Sequence, residues 1–90
     1  MIRREVTILN ELGIHARPAS KIVKAASLSK ANFWISKDGQ KINGKSIMGV
    51  MMLAAEKGST VVIEADGEGA EELIDQIVSL IENQFSEEKL

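Results

Sequence analysis

The chain has no cysteine and no tyrosine, and its ninety residues include one histidine, one proline, one tryptophan and two phenylalanines. Without cysteine there is no disulfide and no thiolate metal site, and a lone histidine leaves a transition-metal centre without its usual nitrogen ligands. The same absence suits a reducing compartment. Phe33, Trp34 and Phe85 are too few aromatics for a base-stacking platform. Basic charge is not in excess either: the net charge is −2 and the pI about 5.4, which excludes nucleic acid as a main partner. Long apolar runs are missing. The longest, Ile47 to Ala55, is far too short to span a bilayer, and the start Met1-Ile2-Arg3-Arg4-Glu5-Val6 lacks the apolar core of a signal peptide. A soluble, cytoplasmic protein with no membrane partner is expected.

What is present is ordinary for one small globular domain, residues 1–90: 44% hydrophobic and 27% charged residues. The core is modest, so stability should be on the order of 10 kcal/mol or less. Residues 2–9 alternate, with Ile2, Val6 and Ile8 against Arg3, Glu5 and Thr7, and predict a half-buried strand. A loop over 10–14 follows, then a helix over 16–28 with Ala16, Ala19, Ile22, Val23 and Ala26 inward and Lys21 and Lys24 on the wet face. Phe33–Ser36 and Lys41–Asn43 are strands joined by Asp38-Gly39, a strong tight-turn signal. A short helix over 47–53, a strand over Thr60–Ala65 and a helix over 70–84 complete the pattern, leaving a frayed tail over 86–90. The order βαββαβα is α+β, with helices covering one face of a four-stranded antiparallel sheet. A ferredoxin-like split βαβ arrangement fits the first six elements equally well.

Chemistry gathers around the single histidine. Asn10 and Gly13 mark the loop that delivers His15, and Pro18 falls in the first turn of the helix behind it, where a missing N–H does no harm. The imidazole therefore sits at a helix N-terminus, where open backbone amides and the macrodipole attract anions. Arg17 adds a planar cationic fork suited to phosphate oxygens. A neutral imidazole can act as a nucleophile near pH 7, so these groups together describe a site that accepts a phosphoryl group. On composition alone the plainer reading has more weight: a capping histidine beside a solvated arginine.

Two further stretches carry signals. Gly39-Gln40-Lys41-Ile42-Asn43-Gly44-Lys45-Ser46 satisfies the Walker A pattern, but the first glycine lies in a hairpin turn and the helix after Ser46 is short. No parallel sheet is on offer, so nucleotide binding is set aside. Ser46 reads as an N-cap worth roughly 1 kcal/mol, and a phosphate there would sit favourably at a helix start. Ile47, Met48, Val50, Met51, Met52 and Leu53 cannot all point inward from so short a helix. Some must form an exposed apolar patch, and methionine suits a face that fits several partners.

Gly13-Ile14-His15-Ala16-Arg17-Pro18-Ala19 resembles the active-site signature of the HPr family, the histidine-containing phosphocarriers of the bacterial phosphoenolpyruvate:sugar phosphotransferase system. Lys45-Ser46-Ile47-Met48-Gly49-Val50-Met51 resembles that family's regulatory-serine motif, in register with the first, and the likeness covers nearly the whole chain. It implies an open-faced β-sandwich with three helices on one side. It implies a carrier rather than an enzyme, without cofactor or metal, in which Nδ1 of His15 takes a phosphoryl group from enzyme I and passes it to sugar-specific IIA domains. Arg17 would stabilise the phosphoryl oxygens. Ile47, Met48 and Met51, with Ser20, Lys24 and Ser27, would contact partners. Ser46 would be phosphorylated by HPr kinase/phosphorylase, creating a corepressor for a catabolite-control transcription factor. A monomer is expected. Met52 stands where relatives often have serine, and Ala54 where they usually have glycine. The alternative is mainly a regulatory interaction module acting through Ser46 in carbon or nitrogen control. Relatives without carrier activity lack the histidine that is present here.

Overall fold

The computed structural model describes residues 1–86. Its elements are β1 (Ile2–Thr7), α1 (Ala16–Ser27), β2 (Asn32–Lys37), β3 (Gln40–Asn43), α2 (Ile47–Met52), β4 (Thr60–Asp66) and α3 (Ala70–Glu82), followed by a short 3-10 turn, Gln84–Ser86. The strands form one sheet in the order β1-β4-β2-β3, with every neighbouring pair antiparallel. A ferredoxin-like sheet would place β1 inside; here β1 is an edge and β4 and β2 are central. The architecture is the open-faced sandwich.

Alternation explains the sheet. Phe33, Ile35, Val61, Ile63 and Ala65 all face the helices and are buried. Against them lie Ala19, Ile22 and Ala26 of α1 and Leu73, Ile74, Ile77 and Ile81 of α3. Each large apolar side chain so enclosed contributes about 1.5–3 kcal/mol relative to exposure. The other face carries no helix. Trp34 lies there with the Lys41 ammonium 5.1 Å from its ring centre, and Lys41 Nζ is 3.1 Å from Glu64 Oε1. This cross-strand cluster covers apolar ring surface without burying a helix on it.

The β2–β3 turn is formed by Asp38 and Gly39 with φ +53° and +85°, the doubly positive geometry that matches strand twist. Several boundaries differ from expectation. Strand β1 stops at Thr7, and Leu9 turns out to solvent while Ile8 is buried. On α1, Pro18 and Ala25 join the buried face, and Ala16, the first helical residue, is exposed. Lys21 is not simply on the wet face. Its Nζ donates to the Phe85 carbonyl at 2.5 Å. Helix α3 ends at Glu82, and Phe85 folds back into the core. Of the expected frayed tail, residues 87–90 lie outside the described residues.

Candidate functional site: the loop before α1 and the face beside it

The loop between β1 and α1 is tied down along its length. Ile8 donates to Ser59 at 2.9 Å and accepts from Gly58 at 2.8 Å, which carries the chain past the last ladder pair. Asn10 is buried, and it closes a turn twice. Its carbonyl accepts from Gly13 N at 3.1 Å, and its Nδ2 donates to Gly13 O at 2.7 Å. Ile14 then donates to Ala55 O at 2.8 Å and buries its side chain. Gly13 has φ +70°, and a Cβ there would lie 2.4 Å from Ala55 O. Only glycine fits both the left-handed backbone and that approach.

His15 follows as the N-cap of α1, with extended backbone (φ −108°, ψ −163°), and its carbonyl accepts the first helical bond from Ala19 at 2.9 Å. The His15 side chain makes no capping hydrogen bond to α1, and no acidic residue lies in the first turn of the helix. Pro18 has no N–H, so the amides of Ala16 and Arg17 are the open donors of the first turn. The imidazole is half-buried, with less than 1 Å² of Nε2 exposed. Arg17 is exposed at the second helical position, on the same end of the helix. Among the described residues no cluster of His, Asp and Glu could hold a metal ion.

Helix α2 packs beside α1, and the segment after it supplies Ala55 to the histidine loop. Ser46 is its N-cap, with Oγ accepting from Gly49 N at 3.1 Å. Val50 and Leu53 are buried, whereas Ile47, Met48, Met51 and Met52 are exposed. Ser20, Lys24 and Ser27 are exposed on α1. The sequence-predicted residues thus fall into two neighbouring groups: His15 and Arg17 at the head of α1, and an apolar patch on α2. Two residues of the loop were not singled out as candidates by the sequence. Leu12 is 73% exposed, an apolar side chain in the loop that leads to His15. Asn10 appeared only as a loop marker, since nothing local shows that it would be buried.

Residues 2–83 match the family described as "PTS HPr component phosphorylation site". The chain is 45% identical over 87 residues to the phosphocarrier protein HPr of Cupriavidus necator, covering 97% of this chain and 98% of that one. It is 36% identical over 84 residues to the HPr-like protein Crh of Halalkalibacterium halodurans, covering 93% and 100% respectively. The crystal structure of HPr-C-His from Thermoanaerobacter tengcongensis superposes with a TM-score of 0.94 at 43% identity, covering 98% of this chain and 99% of that one. Sequence likeness from end to end and the same backbone fold, around a histidine at a helix start, give one answer: this chain belongs to the HPr family of phosphocarrier proteins.

Proposed function

We propose that this chain carries phosphoryl groups from enzyme I to sugar-specific IIA domains on Nδ1 of His15. The observation that carries the reading is the placement of His15: an imidazole at the N-cap of α1 whose Nε2 is covered, heading a helix whose own first turn holds no acidic residue. In the transfer, the Nδ1 lone pair attacks phosphorus in line, and the bond from phosphorus to the donor's nitrogen breaks. The chain does little covalent work beyond this; it positions the nucleophile and stabilises charge. Arg17 and the amides of Ala16 and Arg17 are the groups that would hold the phosphoryl oxygens. Partners would dock across the end of α1 and the α2 patch, through Ile47, Met48 and Met51 with Ser20, Lys24 and Ser27. A small, partly apolar contact suits an encounter that must be brief.

The test is intact mass after incubation with phosphoenolpyruvate, Mg²⁺ and enzyme I. The expected result is one added phosphoryl group that survives base and is lost in acid. His15→Ala should abolish it with the fold retained, and Arg17→Ala should slow its appearance about 100-fold, about 2.7 kcal/mol of lost charge stabilisation. Acid-labile phosphate on the His15→Ala chain would overturn the reading.

A second reading has its own support. The likeness to an HPr-like protein Crh and the exposed α2 helix headed by Ser46 fit a regulatory role, in which HPr kinase/phosphorylase modifies Ser46 and a catabolite-control transcription factor reads it. Incubation with that kinase and ATP should add a base-labile phosphate that Ser46→Ala removes.

A further inference from the structure

The chain has no cysteine, so its sulfur chemistry is confined to four methionines, and three of them lie on one short helix. Met48, Met51 and Met52 are 73%, 41% and 64% exposed. A structural methionine is normally enclosed, where its flexible thioether fills irregular gaps. These three fill none: Val50 and Leu53 provide the buried side of this segment. Their spacing of three and four residues puts them on one stripe. The stripe lies beside the histidine loop, because the segment after α2 hydrogen-bonds that loop through Ala55 and α2 packs against α1.

We propose that Met48, Met51 and Met52 form an oxidation site, where conversion to sulfoxide by a peroxide weakens docking on the α2 face. The inference rests on the docking reading above. In the step itself, a lone pair of the thioether sulfur attacks one peroxide oxygen. The S–O bond forms as the O–O bond breaks, sulfur is oxidised by two electrons, and the second oxygen leaves as water once protonated. The product replaces an apolar, adaptable side chain with a polar one, in the part of the surface where apolar contact is needed. The core does not depend on these side chains, so the fold survives. The change is also reversible, because sulfoxide reductases restore the thioether.

Met1 supplies an internal control. It is 70% exposed, and its ammonium is 3.5 Å from Asp66 Oδ1. Asp66 is the last residue of β4, at the opposite end of the strand from Thr60, which pairs with Thr7 next to the histidine loop. Met1 is thus as open to peroxide as the α2 methionines, but it lies on the β1 edge of the sheet, across β4 and β2 from the β3 edge that leads into α2, and at the end away from the histidine loop.

The experiment treats the full chain with hydrogen peroxide, locates sulfoxides by peptide mass, and measures phosphoryl acceptance from enzyme I before and after. Sulfoxide is expected on Met48, Met51, Met52 and Met1, with an unchanged circular dichroism spectrum. The concentration of chain giving half-maximal rate should rise about tenfold, with the maximal rate changed less. Treatment with methionine sulfoxide reductases should reverse the effect. The triple variant Met48→Leu, Met51→Leu, Met52→Leu, compared with itself before treatment, should show no peroxide effect although Met1 is oxidised. An untreated chain that accepts no phosphoryl group removes the docking reading itself. An untreated chain that accepts it, and an oxidised one that accepts it at the same half-maximal concentration, overturns this proposal alone. Loss of the circular dichroism spectrum on oxidation, or an equal peroxide effect in the triple variant, also overturns it.

Discussion

Gly13 and Ala54 both have left-handed backbone, and they face opposite constraints. Gly13, at φ +70°, cannot take a side chain without meeting the Ala55 carbonyl. Gly13→Ala should lower stability by about 1–3 kcal/mol, from backbone cost and overpacking together. It should also slow phosphoryl acceptance, since Ile14 and His15 follow directly. Thermal unfolding and the acid-labile mass gain check the two halves separately. Ala54, at φ +50°, carries a Cβ in a conformation that glycine adopts freely. Ala54→Gly should stabilise by about 0.5–1 kcal/mol, the left-handed strain relieved less the entropy glycine loses on folding. In a domain this size that is a rise in melting temperature of about 2–8 °C. No change or a fall would show that the turn after α2 is not strained. Both residues show what a sequence does and does not display. Gly13 was legible as a loop signal, and Ala54 stood out through family resemblance. The reason at each position is a carbonyl or a dihedral fixed by the tertiary fold, which no local pattern reports. Asn10 is the stronger case: its side chain bonds locally to Gly13, but its burial comes from elements distant in sequence.

Elements were read more reliably where a cap or a tight turn marks the boundary. Ser46 was expected to cap a short helix, and its Oγ accepts from Gly49 N at 3.1 Å. Asp38-Gly39 was expected to turn a hairpin, and Lys37 pairs with Gln40 across it. Periodicity alone did less well. On α1 it counted Ala16 as inward, since a helical wheel does not say whether the first turn is covered by anything. On α2 it could only state that the apolar side chains exceeded the inward positions. The short helix makes its cap matter, because few intrahelical bonds support it. Ser46→Ala should cost about 1 kcal/mol and Ser46→Gly only a few tenths, read as the shift in urea midpoint. No cost for Ser46→Ala would mean that the hydroxyl is not what stabilises this helix start. The Walker-like spacing ending at Ser46 illustrates the reverse error: residues from a hairpin turn, a strand and a cap match a pattern whose mechanism needs one continuous phosphate loop.

At the scale of the molecule, the chain beyond α3 does structural work that its composition hides. Ser86 and the acidic residues after it suggest a solvated tail, and a lone phenylalanine among polar neighbours has no periodicity to place it. Yet Gln84, Phe85 and Ser86 all have positive φ (53°, 55° and 60°), so the backbone reverses and Phe85 is fully enclosed. Three non-glycine residues in that region carry a strain of about 1–2 kcal/mol each, which burial of one aromatic ring and the bond from Lys21 Nζ to Phe85 O must offset. That bond spans from α1, whose first residues follow His15, to the turn after α3. The turn therefore fastens the helix bearing His15 to the last helix. Phe85→Ala should cost about 3–5 kcal/mol, a large share of the stability available to a domain of this size. Because one cluster of side chains joins sheet and helices, the loss should appear as one cooperative transition at lower denaturant, not as fraying of α3 alone. Urea unfolding followed by far-ultraviolet circular dichroism and by Trp34 fluorescence reads both sides of the sheet. Coincident curves shifted together to lower urea are expected. An unshifted Trp34 transition with early loss of helix would mean that the turn stabilises only its own end of the chain.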